Sequence, residues 1–329
     1  MHARFALSHP LPPLPTEVAL ADWLCLSPSE LDWFANRRNL ATSAARSHYR
    51  YHLLTKPSGG VRLLEAPKFR LKCLQKRIQT GILDLLPPHP AVHGFVKGRS
   101  VKSFAIGHVG QPGVLRIDLE NFFASVRSAR ITGLFRTLGY PPPVAKLLSE
   151  LCTNSVPKTV LADHPERFLY FNRHLPQGAP TSPLLANLCA YRADCRLAAL
   201  AKADGSLYTR YADDIAFSGF VNNDLAAQAS AILAEEGFTV NHHKTRLMSE
   251  GVRQHLAGLV VNAKPSTPRD EYDRLKATLT NCARYGLDSQ NRDKHPNFRQ
   301  HLEGRVAWVE YIHPERGAKL RTILAKLEP

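Results

Sequence analysis

The sequence has no uninterrupted apolar run of about 18 residues, the minimum that a helix needs to cross a membrane. Its first fifteen residues contain four prolines and lack the apolar stretch and cleavage site of a secretory signal. Six cysteines occur without a C-x-x-C pair, so neither a zinc knuckle nor a disulfide framework is indicated. These absences predict a folded cytoplasmic protein that has no membrane partner.

Acidic residues are also scarce. The chain has 28 Asp and Glu against 43 Lys and Arg, a formal charge of +15, which indicates a polyanionic partner. The shortage is local, because residues 44–102 contain twelve basic residues and only two acids. A helix predicted at 68–86 has almost none of the acids that a solvated helix would use for i,i+4 pairing, so nucleic-acid contact is favoured over a solvated face. The basic residues of this helix that we expect to contact nucleic acid are Lys68, Arg70, Lys72 and Lys76.

Hydrophobic periodicity, caps and turn residues predict a chain that mixes helices and strands. The expected strands are 49–55, 61–66, 113–119 and 255–262, with a hairpin over 207–218. The expected helices are 27–40, 68–86, 126–138, 180–203 and 223–236, together with most of the chain after 269.

Three aspartates stand where apolar strands end: Asp118 after 113–117, and Asp213 with Asp214 at the turn of the 207–218 hairpin. Aspartate is a poor strand residue. Taken singly, each motif can equally be a strand-end cap or an ordinary turn acid. If the strands are neighbours in one sheet, the carboxylates can bind two Mg²⁺ ions about 4 Å apart, which activates a hydroxyl and stabilises a leaving pyrophosphate.

Five further motifs follow one another along the chain. They are R-I-D-L-x-N-F-F at 116–123, L-P-Q-G-A-P-T-S-P at 175–183, Y-A-D-D at 211–214, G-F-T-V-N-H-H-K-T at 237–245 and H-L-A-G-L-V-V-N at 255–262. In these motifs and their order the chain resembles reverse transcriptases, and the phrases Y-T-R-Y-A-D-D and G-L-V-V-N are similar to the retron type. Two motifs depart from the retron pattern: F-A-I-G-H at 104–108 stands for N-A-x-x-H, and L-A-G at 256–258 stands for V-T-G.

The resemblance implies an α+β right-hand polymerase fold. It places N-terminal helices and fingers at 1–112, a palm with an antiparallel sheet at 113–262 with a fingers insertion at about 130–173, and a helical thumb at 263–329. It implies an RNA-directed DNA polymerase that copies a dedicated structured non-coding RNA into short DNA, primed from an RNA 2′-OH, in anti-phage defence. The alternatives are another bacterial defence-type reverse transcriptase with protein or untemplated priming, and a catalytically idle RNA-binding scaffold.

The resemblance also assigns roles to residues. Catalysis is expected from Asp118, Asp213, Asp214 and Lys244, with two Mg²⁺ ions, or Mn²⁺ in their place, held by the three aspartates and the carbonyl of Leu119. Nucleotide binding is expected from Lys56, Arg62, Phe123, Gln177 and Gly178. Further nucleic-acid contacts are expected from a primer grip containing His255 and Gly258, and from Arg274, Arg305 and Lys319 of the thumb.

Several of these assignments have plain structural alternatives. Phe123 is expected to exclude a ribose 2′-OH, which disfavours an RNA polymerase, but it could instead be a core phenylalanine. Lys56 and Arg62 could be solvated hairpin charges, and Lys244 could be a surface lysine. The expected partners are the structured RNA and its DNA product, dNTPs, and an effector protein encoded nearby.

Overall fold

The structure is a computed structural model that describes residues 10–37, 43, 45–55, 59–161 and 166–327. The helices are α1 Glu17–Leu24, α2 Pro28–Ala35, α3 Phe69–Gly81, α4 Val101–Ile106, α5 Phe122–Ser125, α6 Ser128–Thr137, α7 Pro142–Cys152, α8 Phe168–Phe171, α9 Ser182–Asp204, α10 Asn223–Glu235, α11 Arg269–Tyr285, α12 Phe298–Ile312 and α13 Pro314–Leu324. The strands are β1 Tyr49–Thr55, β2 Val61–Pro67, β3 Gly113–Asp118, β4 Leu207–Tyr211, β5 Asp214–Ser218, β6 Arg246–Ser249, β7 His255–Leu256 and β8 Leu259–Val260.

A four-stranded antiparallel sheet in the order β4-β5-β3-β6 forms the centre of the molecule. Strand β3 supplies apolar side chains to two cores. Leu115 and Ile117 belong to a large cluster with the helices, and Val114 belongs to a smaller cluster that includes Phe104. Successive residues of a strand face opposite sides of the sheet, so burial on both faces explains why the neighbours Val114 and Leu115 are both apolar.

The large core contains buried residues from α1, α2, α3, α6, α7, α9 and α10. The C-terminal helices α11, α12 and α13 have a separate core, which includes Leu275, Leu279, Leu302, Val306 and Leu320. Antiparallel strands β1 and β2 form a second sheet, with Tyr49 opposite Pro67 at one end. The combination of helices with antiparallel sheets confirms the predicted α+β class.

Several predicted elements are present with shorter bounds. The helix expected at 27–40 ends at Ala35, because Asn36 adopts a left-handed conformation and its N–H caps the carbonyls of Asp32 and Trp33. The helix expected at 68–86 ends at Gly81 and continues only as a 3₁₀ turn at Leu83–Leu85. The hairpin expected at 207–218 is confirmed as β4 and β5.

The prediction of one strand over 255–262 is wrong. This segment is a small hairpin of β7 and β8, in which Ala257 and Gly258 form the turn with φ of +45° and +85°. Two consecutive residues at positive φ are typical of the tight turns that join antiparallel strands. The sequence L-A-G-L contains a glycine that signals this turn, but its apolar neighbours resemble a continuous strand.

Within the part of the chain that the structure describes, no helix combines the length and apolarity needed to span a bilayer.

Candidate active site

The sheet brings the three predicted acids together. Asp118 is the last residue of β3, is only 4% exposed, and lies directly opposite Asp214, the first residue of β5. Asp213 lies in the turn before it, after Ala212, whose φ is +56°. The N–H of Leu119 donates to the carbonyl of Asp213 at 3.0 Å, which fixes the turn against the end of β3.

Each strand-end aspartate has a cationic partner. Lys244 Nζ is 3.0 Å from Asp118 Oδ1, and Arg116 Nε donates to Asp214 Oδ1 at 2.8 Å. Burial and the charge of Asp214 raise the pKa of Asp213. Burial also raises the pKa of Asp214, although Arg116 opposes this change. Buried like charges disfavour ionisation, so the site would gain from an additional cation.

The donor chemistry of these residues fits Mg²⁺, because carboxylate oxygens are hard ligands. Among the described residues, however, no group of three or more His, Cys, Asp or Glu side chains is arranged as a ready metal-binding group. Lys244 and Arg116 hold two of the three aspartates instead. A divalent ion at this site would compete with Lys244 and Arg116 for the carboxylate oxygens of Asp118 and Asp214.

A cleft of about 600 Å³ lies over the acids. Its lining joins parts of the chain that are far apart in sequence. The predicted site residues that line it are Arg62, Asp118, Leu119, Phe123, Gln177, Asp213, Asp214 and Lys244. Lys56 falls outside the described residues. One concave surface thus brings together the acids, two cations, an aromatic ring and an amide.

The two adjacent phenylalanines of α5 point to different places. Phe122 is buried in the large core and contacts Phe238 at a ring-centroid distance of 5.7 Å. Phe123 is half-buried: it packs against the edge of the same core and also lines the cleft, with its ring 6.0 Å from that of Phe95. The part of its ring that meets the cleft is compatible with the steric role predicted for Phe123.

Gln177 and Gly178 are held against β2. The carbonyl of Gln177 accepts a hydrogen bond from the N–H of Glu65 at 2.9 Å. Gly178 has φ of +130°, and a Cβ there would lie 3.1 Å from the Glu65 carbonyl oxygen. Only glycine fits this backbone without strain. The buried Glu65 carboxylate is fixed in turn by His174 at 2.8 Å and Asn154 at 2.7 Å.

The predicted nucleic-acid contacts lie outside the cleft. Lys72 and Lys76 are exposed on α3. Lys68 Nζ donates to the carbonyl of Ala45 at 3.1 Å, and Arg70 pairs with Glu30 at 2.8 Å. Helix α3 therefore presents a basic surface with part of its charge engaged.

The other predicted contacts lie in the β7–β8 hairpin and on the C-terminal helices. His255 and Gly258 belong to the β7–β8 hairpin, whose Ala257 lines the cleft. Arg274 and Lys319 are exposed on α11 and α13, and Arg305 is half-buried on α12. The structure thus brings the grip hairpin to the acids and leaves the three basic residues on the C-terminal helices.

Sequence reasoning missed a buried ion pair behind the acids. Arg210 donates from Nε and Nη2 to the carboxylate of Asp194 at 2.7 Å, and from Nη1 to the carbonyl of Ala212 at 3.0 Å. Tyr208 also donates to Asp194, at 2.6 Å. The pair thus supports the turn that carries Asp213. The signal was an arginine inside an apolar strand, in Y-T-R-Y-A-D-D, where an unpaired charge would be very costly.

His108 was also missed. It is fully buried and its two ring nitrogens lie 2.6 Å from Ser218 Oγ and 2.7 Å from Thr209 Oγ1. These hydroxyls belong to β5 and β4, so the imidazole joins α4 and its following turn to the hairpin that carries the acids. Its sequence signal is the histidine that ends F-A-I-G-H.

Comparison with known proteins gives a consistent picture. A family model described as reverse transcriptase (RNA-dependent DNA polymerase) matches residues 54–278. The chain is 44% identical to the Retron Mx65 reverse transcriptase of Myxococcus xanthus, over 83% of this chain and 63% of that protein. It therefore spans less than two thirds of that relative.

This chain matches a larger share of two further relatives. The Retron Mx162 reverse transcriptase of Myxococcus xanthus is 35% identical, over 98% of this chain and 69% of that protein. The Retron Ec86 reverse transcriptase of Escherichia coli is 29% identical, over 85% of this chain and 82% of that protein.

Proposed function

The chain belongs to the reverse transcriptase family and is of the retron type, and from that premise we propose that its cleft is the active site of an RNA-directed DNA polymerase. The observation that carries this proposal is the pairing of Asp118 with Asp214 across β3 and β5, with Asp213 at the adjoining turn. The cleft volume of about 600 Å³ is within the range of small-molecule sites. The incoming nucleotide is a dNTP, since Phe123 lines the cleft where a 2′-OH would be excluded.

The division of the molecule follows the right-hand fold. We assign N-terminal helices and fingers to 1–112, the palm to 113–262 with its insertion at about 130–173, and the thumb to 263–329. The separate core of α11, α12 and α13 supports the last assignment. The basic segment 44–102 supports an extended nucleic-acid ligand, because twelve basic residues exceed what one triphosphate needs.

The template is a dedicated structured non-coding RNA, in keeping with the retron relatives. This RNA also supplies the priming 2′-OH, so that the short DNA product is branched from it. The biological role is anti-phage defence together with an effector protein. These finer assignments rest on the family and are tested through the bound nucleic acid.

The chemistry divides between the divalent ions and the side chains. Asp118, Asp213 and the carbonyl of Leu119 would hold Mg²⁺, and Asp214 is a weaker ligand because Arg116 engages it. When bound, Mg²⁺ supplies the positive charge that activates the attacking hydroxyl and neutralises the departing pyrophosphate. Mn²⁺ would serve the same oxygen ligands.

The side chains orient the substrates and move a proton. Arg62 lines the cleft with a guanidinium suited to bidentate phosphate contact. Gln177, fixed through Glu65, faces the nucleotide beside the template. Lys244, held 3.0 Å from Asp118, is the cation that donates a proton to the pyrophosphate as it leaves.

Removal of single carboxylate charges tests the site. Asp118→Asn and Asp213→Asn should each lower DNA synthesis by at least about 10³-fold, because electrostatic stabilisation of the transition state is lost. The assay is incorporation of labelled dTTP on poly(rA)/oligo(dT) with Mg²⁺, beside a gel shift with RNA. Asp204→Asn makes the same chemical change at an exposed position outside the cleft and should leave both readings unchanged. Synthesis within tenfold of wild type in either cleft variant would refute the assignment of the acids.

The nature of the template is tested by the nucleic acid that copurifies. The protein is expressed with several hundred bases of flanking DNA, and the bound material is treated with RNase and with debranching enzyme. One structured RNA joined to DNA, with a mobility change on debranching, is the expected result. Random cellular RNA, or DNA linked covalently to the protein, would contradict it and favour protein or untemplated priming.

A further inference from the structure

A buried acid and a histidine join strand β2 to the loop that carries Gln177. Glu65 of β2 is 1% exposed, and His174 is fully buried. Oε1 of Glu65 lies 2.8 Å from Nε2 of His174, and Oε2 accepts from the side-chain amide of Asn154 at 2.7 Å. The backbones of Asn154 and His174 pair with each other through two hydrogen bonds of 3.0 Å. Both side chains that hold the carboxyl group therefore come from one fixed pair of residues.

The hydrogen bonds of His174 define the protons of this acid–histidine pair. Nδ1 lies 2.8 Å from the backbone carbonyl of Asn172, and a carbonyl only accepts, so Nδ1 carries a hydrogen. A second hydrogen must lie between Nε2 and the carboxyl oxygen of Glu65, because two bare acceptors would repel each other at 2.8 Å. The pair is therefore neutral overall, either as imidazolium and carboxylate or as imidazole and carboxylic acid. A neutral pair avoids the high cost of a single buried charge.

Glu65 is connected to the same loop a second time through its backbone. Its N–H donates to the carbonyl of Gln177 at 2.9 Å. The side chain of Glu65 thus holds residue 174 and its backbone holds residue 177, so one residue of β2 anchors both ends of this segment. Pro176 lies between the two anchor points and restricts the backbone further. The next residue, Gly178, approaches so closely that a Cβ would lie 3.1 Å from the carbonyl oxygen of Glu65.

Gln177 has few other restraints. Among the described residues, its carbonyl is its only group with a hydrogen-bond partner, and its side chain lines the cleft. The position of the Gln177 amide in the cleft therefore depends on the bond to the Glu65 backbone. That backbone is held in turn by the buried carboxyl group and its two partners.

We propose that Glu65 and His174 are positioning residues for nucleotide binding, which act through Gln177. The proposal rests on the polymerase function above and adds two residues to it that need not touch the substrate. Loss of the pair would displace the Gln177 amide from the nucleotide and leave the acids of the cleft in place. The expected effect is therefore a higher KM for the nucleotide at a nearly unchanged kcat.

Two substitutions of Glu65 separate the hydrogen bonds from the charge. Glu65→Met keeps the length of the side chain but cannot bond to His174 or Asn154. It should raise the KM for dTTP on poly(rA)/oligo(dT) about tenfold, the effect of about one lost hydrogen bond, and change kcat by no more than about threefold. Glu65→Gln should stay within about twofold of the wild-type KM, since its oxygen accepts from Asn154 and its amide donates to Nε2 of neutral His174.

A matched control makes the same change at another buried glutamate. Glu236 lies outside the cleft, and its carboxylate pairs with Arg192 at 2.8 Å and with Arg196 at 2.9 Å. Glu236→Met should lower stability and leave KM unchanged, because partial unfolding reduces the amount of active enzyme and not its KM. If Glu65→Met does not fold, Asn154→Leu removes only one of the two bonds and should raise KM about threefold. An unchanged KM in folded Glu65→Met, or in Asn154→Leu, would overturn the proposal.

A double substitution shows whether Glu65 acts through Gln177. Gln177→Ala should itself raise the KM for dTTP. Adding Glu65→Met should then raise KM no further, because the amide whose position Glu65 controls is already absent. A second tenfold increase in the Gln177→Ala background would show that Glu65 acts independently of Gln177, contrary to the proposal.

Hydrogen exchange separates the anchoring of the loop from the polymerase function. Without any substrate, the backbone amides within residues 174–178 should exchange faster in Glu65→Met than in the wild type, and should keep the wild-type rates in Glu65→Gln. Wild-type rates in Glu65→Met would refute the anchoring whatever the activity. Absence of dTTP incorporation in the wild type, with faster exchange in Glu65→Met, would refute the polymerase function and leave the anchoring of the loop standing.

Discussion

The neighbours Phe122 and Phe123 show how one side-chain type acquires two roles. Phe122 packs against Phe238 in the core, whereas Phe123 meets the cleft. Phe123→Ala should therefore leave the protein folded and raise the use of ribonucleotides relative to deoxynucleotides by about 10- to 100-fold, a loss of roughly 1.4 to 2.8 kcal/mol of discrimination. The measurement is the ratio of kcat/KM for the two nucleotide types. An unchanged ratio in a soluble, active variant would show that Phe123 contributes to packing and not to nucleotide selection.

Phe95 is a neighbour of the Phe123 ring in the cleft. Its φ is +60°, an uncommon conformation for a bulky residue, and its ring lies 6.0 Å from Phe123 and 6.4 Å from Tyr211. The preceding Gly94 is pressed so closely on the Asp213 turn that a Cβ would lie 2.5 Å from the N atom of Ala212.

If Phe95 acts by holding Phe123, the effects of the two substitutions are not additive. Phe95→Ala should lower discrimination in the wild type and leave it unchanged in the Phe123→Ala background. Phe220→Ala, which removes an exposed ring that does not line the cleft, should have no effect in either. Equal effects of Phe95→Ala in both backgrounds would show that Phe95 acts independently.

His108 makes stability depend on pH. Burial lowers its pKa to about 4, with a smaller contribution from His93, whereas an unfolded histidine titrates near pH 6.5. Above about pH 6.5 both states are neutral. As the pH falls from there toward 4, only the unfolded state takes up the proton, so the folded state loses up to about 3 kcal/mol.

Urea unfolding at pH 7, 6 and 5 measures this dependence. His108→Gln should be less stable than the wild type at pH 7, because the bonds to Ser218 and Thr209 are disturbed, but its stability should fall less between pH 7 and 5. Parallel pH dependences in the two proteins would show that another group is responsible.

At the scale of elements, the β4–β5 hairpin depends on a side-chain pair beneath it. Asp194→Asn should destabilise the protein by about 3 to 5 kcal/mol, because Arg210 would remain buried without its counter-charge. Arg210 holds the carbonyl of Ala212 beside Asp213. The Asp194→Asn protein that remains folded should therefore also incorporate dTTP more slowly than the wild type at saturating nucleotide. Asp204→Asn on the same helix is the matched control. A free energy of unfolding within about 1 kcal/mol of wild type would contradict this role of the pair.

The sequence predicted those elements whose sequence signals lie within a few residues of one another. The capping box of α2, the acids at the hairpin turn and the glycine of the 175–183 loop are short-range signals, and all lie where expected. The short strand β6 and the helix α4 were missed, because their stability comes from pairing with β3 and from a shared core.

The site shows the same division. Spacing and motif order predicted which residues line the cleft, but the partners of the acids could not be predicted. Arg116 lies on the strand beside Asp214, and Lys244 is 126 residues from Asp118. These contacts depend on strand register and on the loop before β6, which no local pattern specifies.

At the scale of the whole molecule, the basic residues expected to contact RNA outside the cleft form two surfaces on different elements. One is α3 with its exposed lysines, and the other is formed by α11, α12 and α13 with Arg274, Arg305 and Lys319. The acids lie in neither surface. An RNA that reaches all three regions must be extended or folded around the protein, and its phosphates must displace counterions at both basic surfaces.

The affinity for RNA should therefore fall steeply with salt. If about six phosphates are contacted, the slope of log K against log salt should be near −4 to −5, because each contact contributes about −0.7 to −0.9. Lys72→Gln and Lys76→Gln together should make this slope shallower by about 1.5, since both lysines are exposed on α3 and keep their charge available. Lys202→Gln, an equal change on α9 away from both surfaces, should leave the slope unaltered.

Asp118→Asn should also leave the slope unaltered while it abolishes synthesis, which would separate the surfaces that bind the RNA from the cleft that copies it. A slope unchanged by the α3 pair would assign the phosphate contacts to the C-terminal helices alone and would contradict a ligand extended over both surfaces.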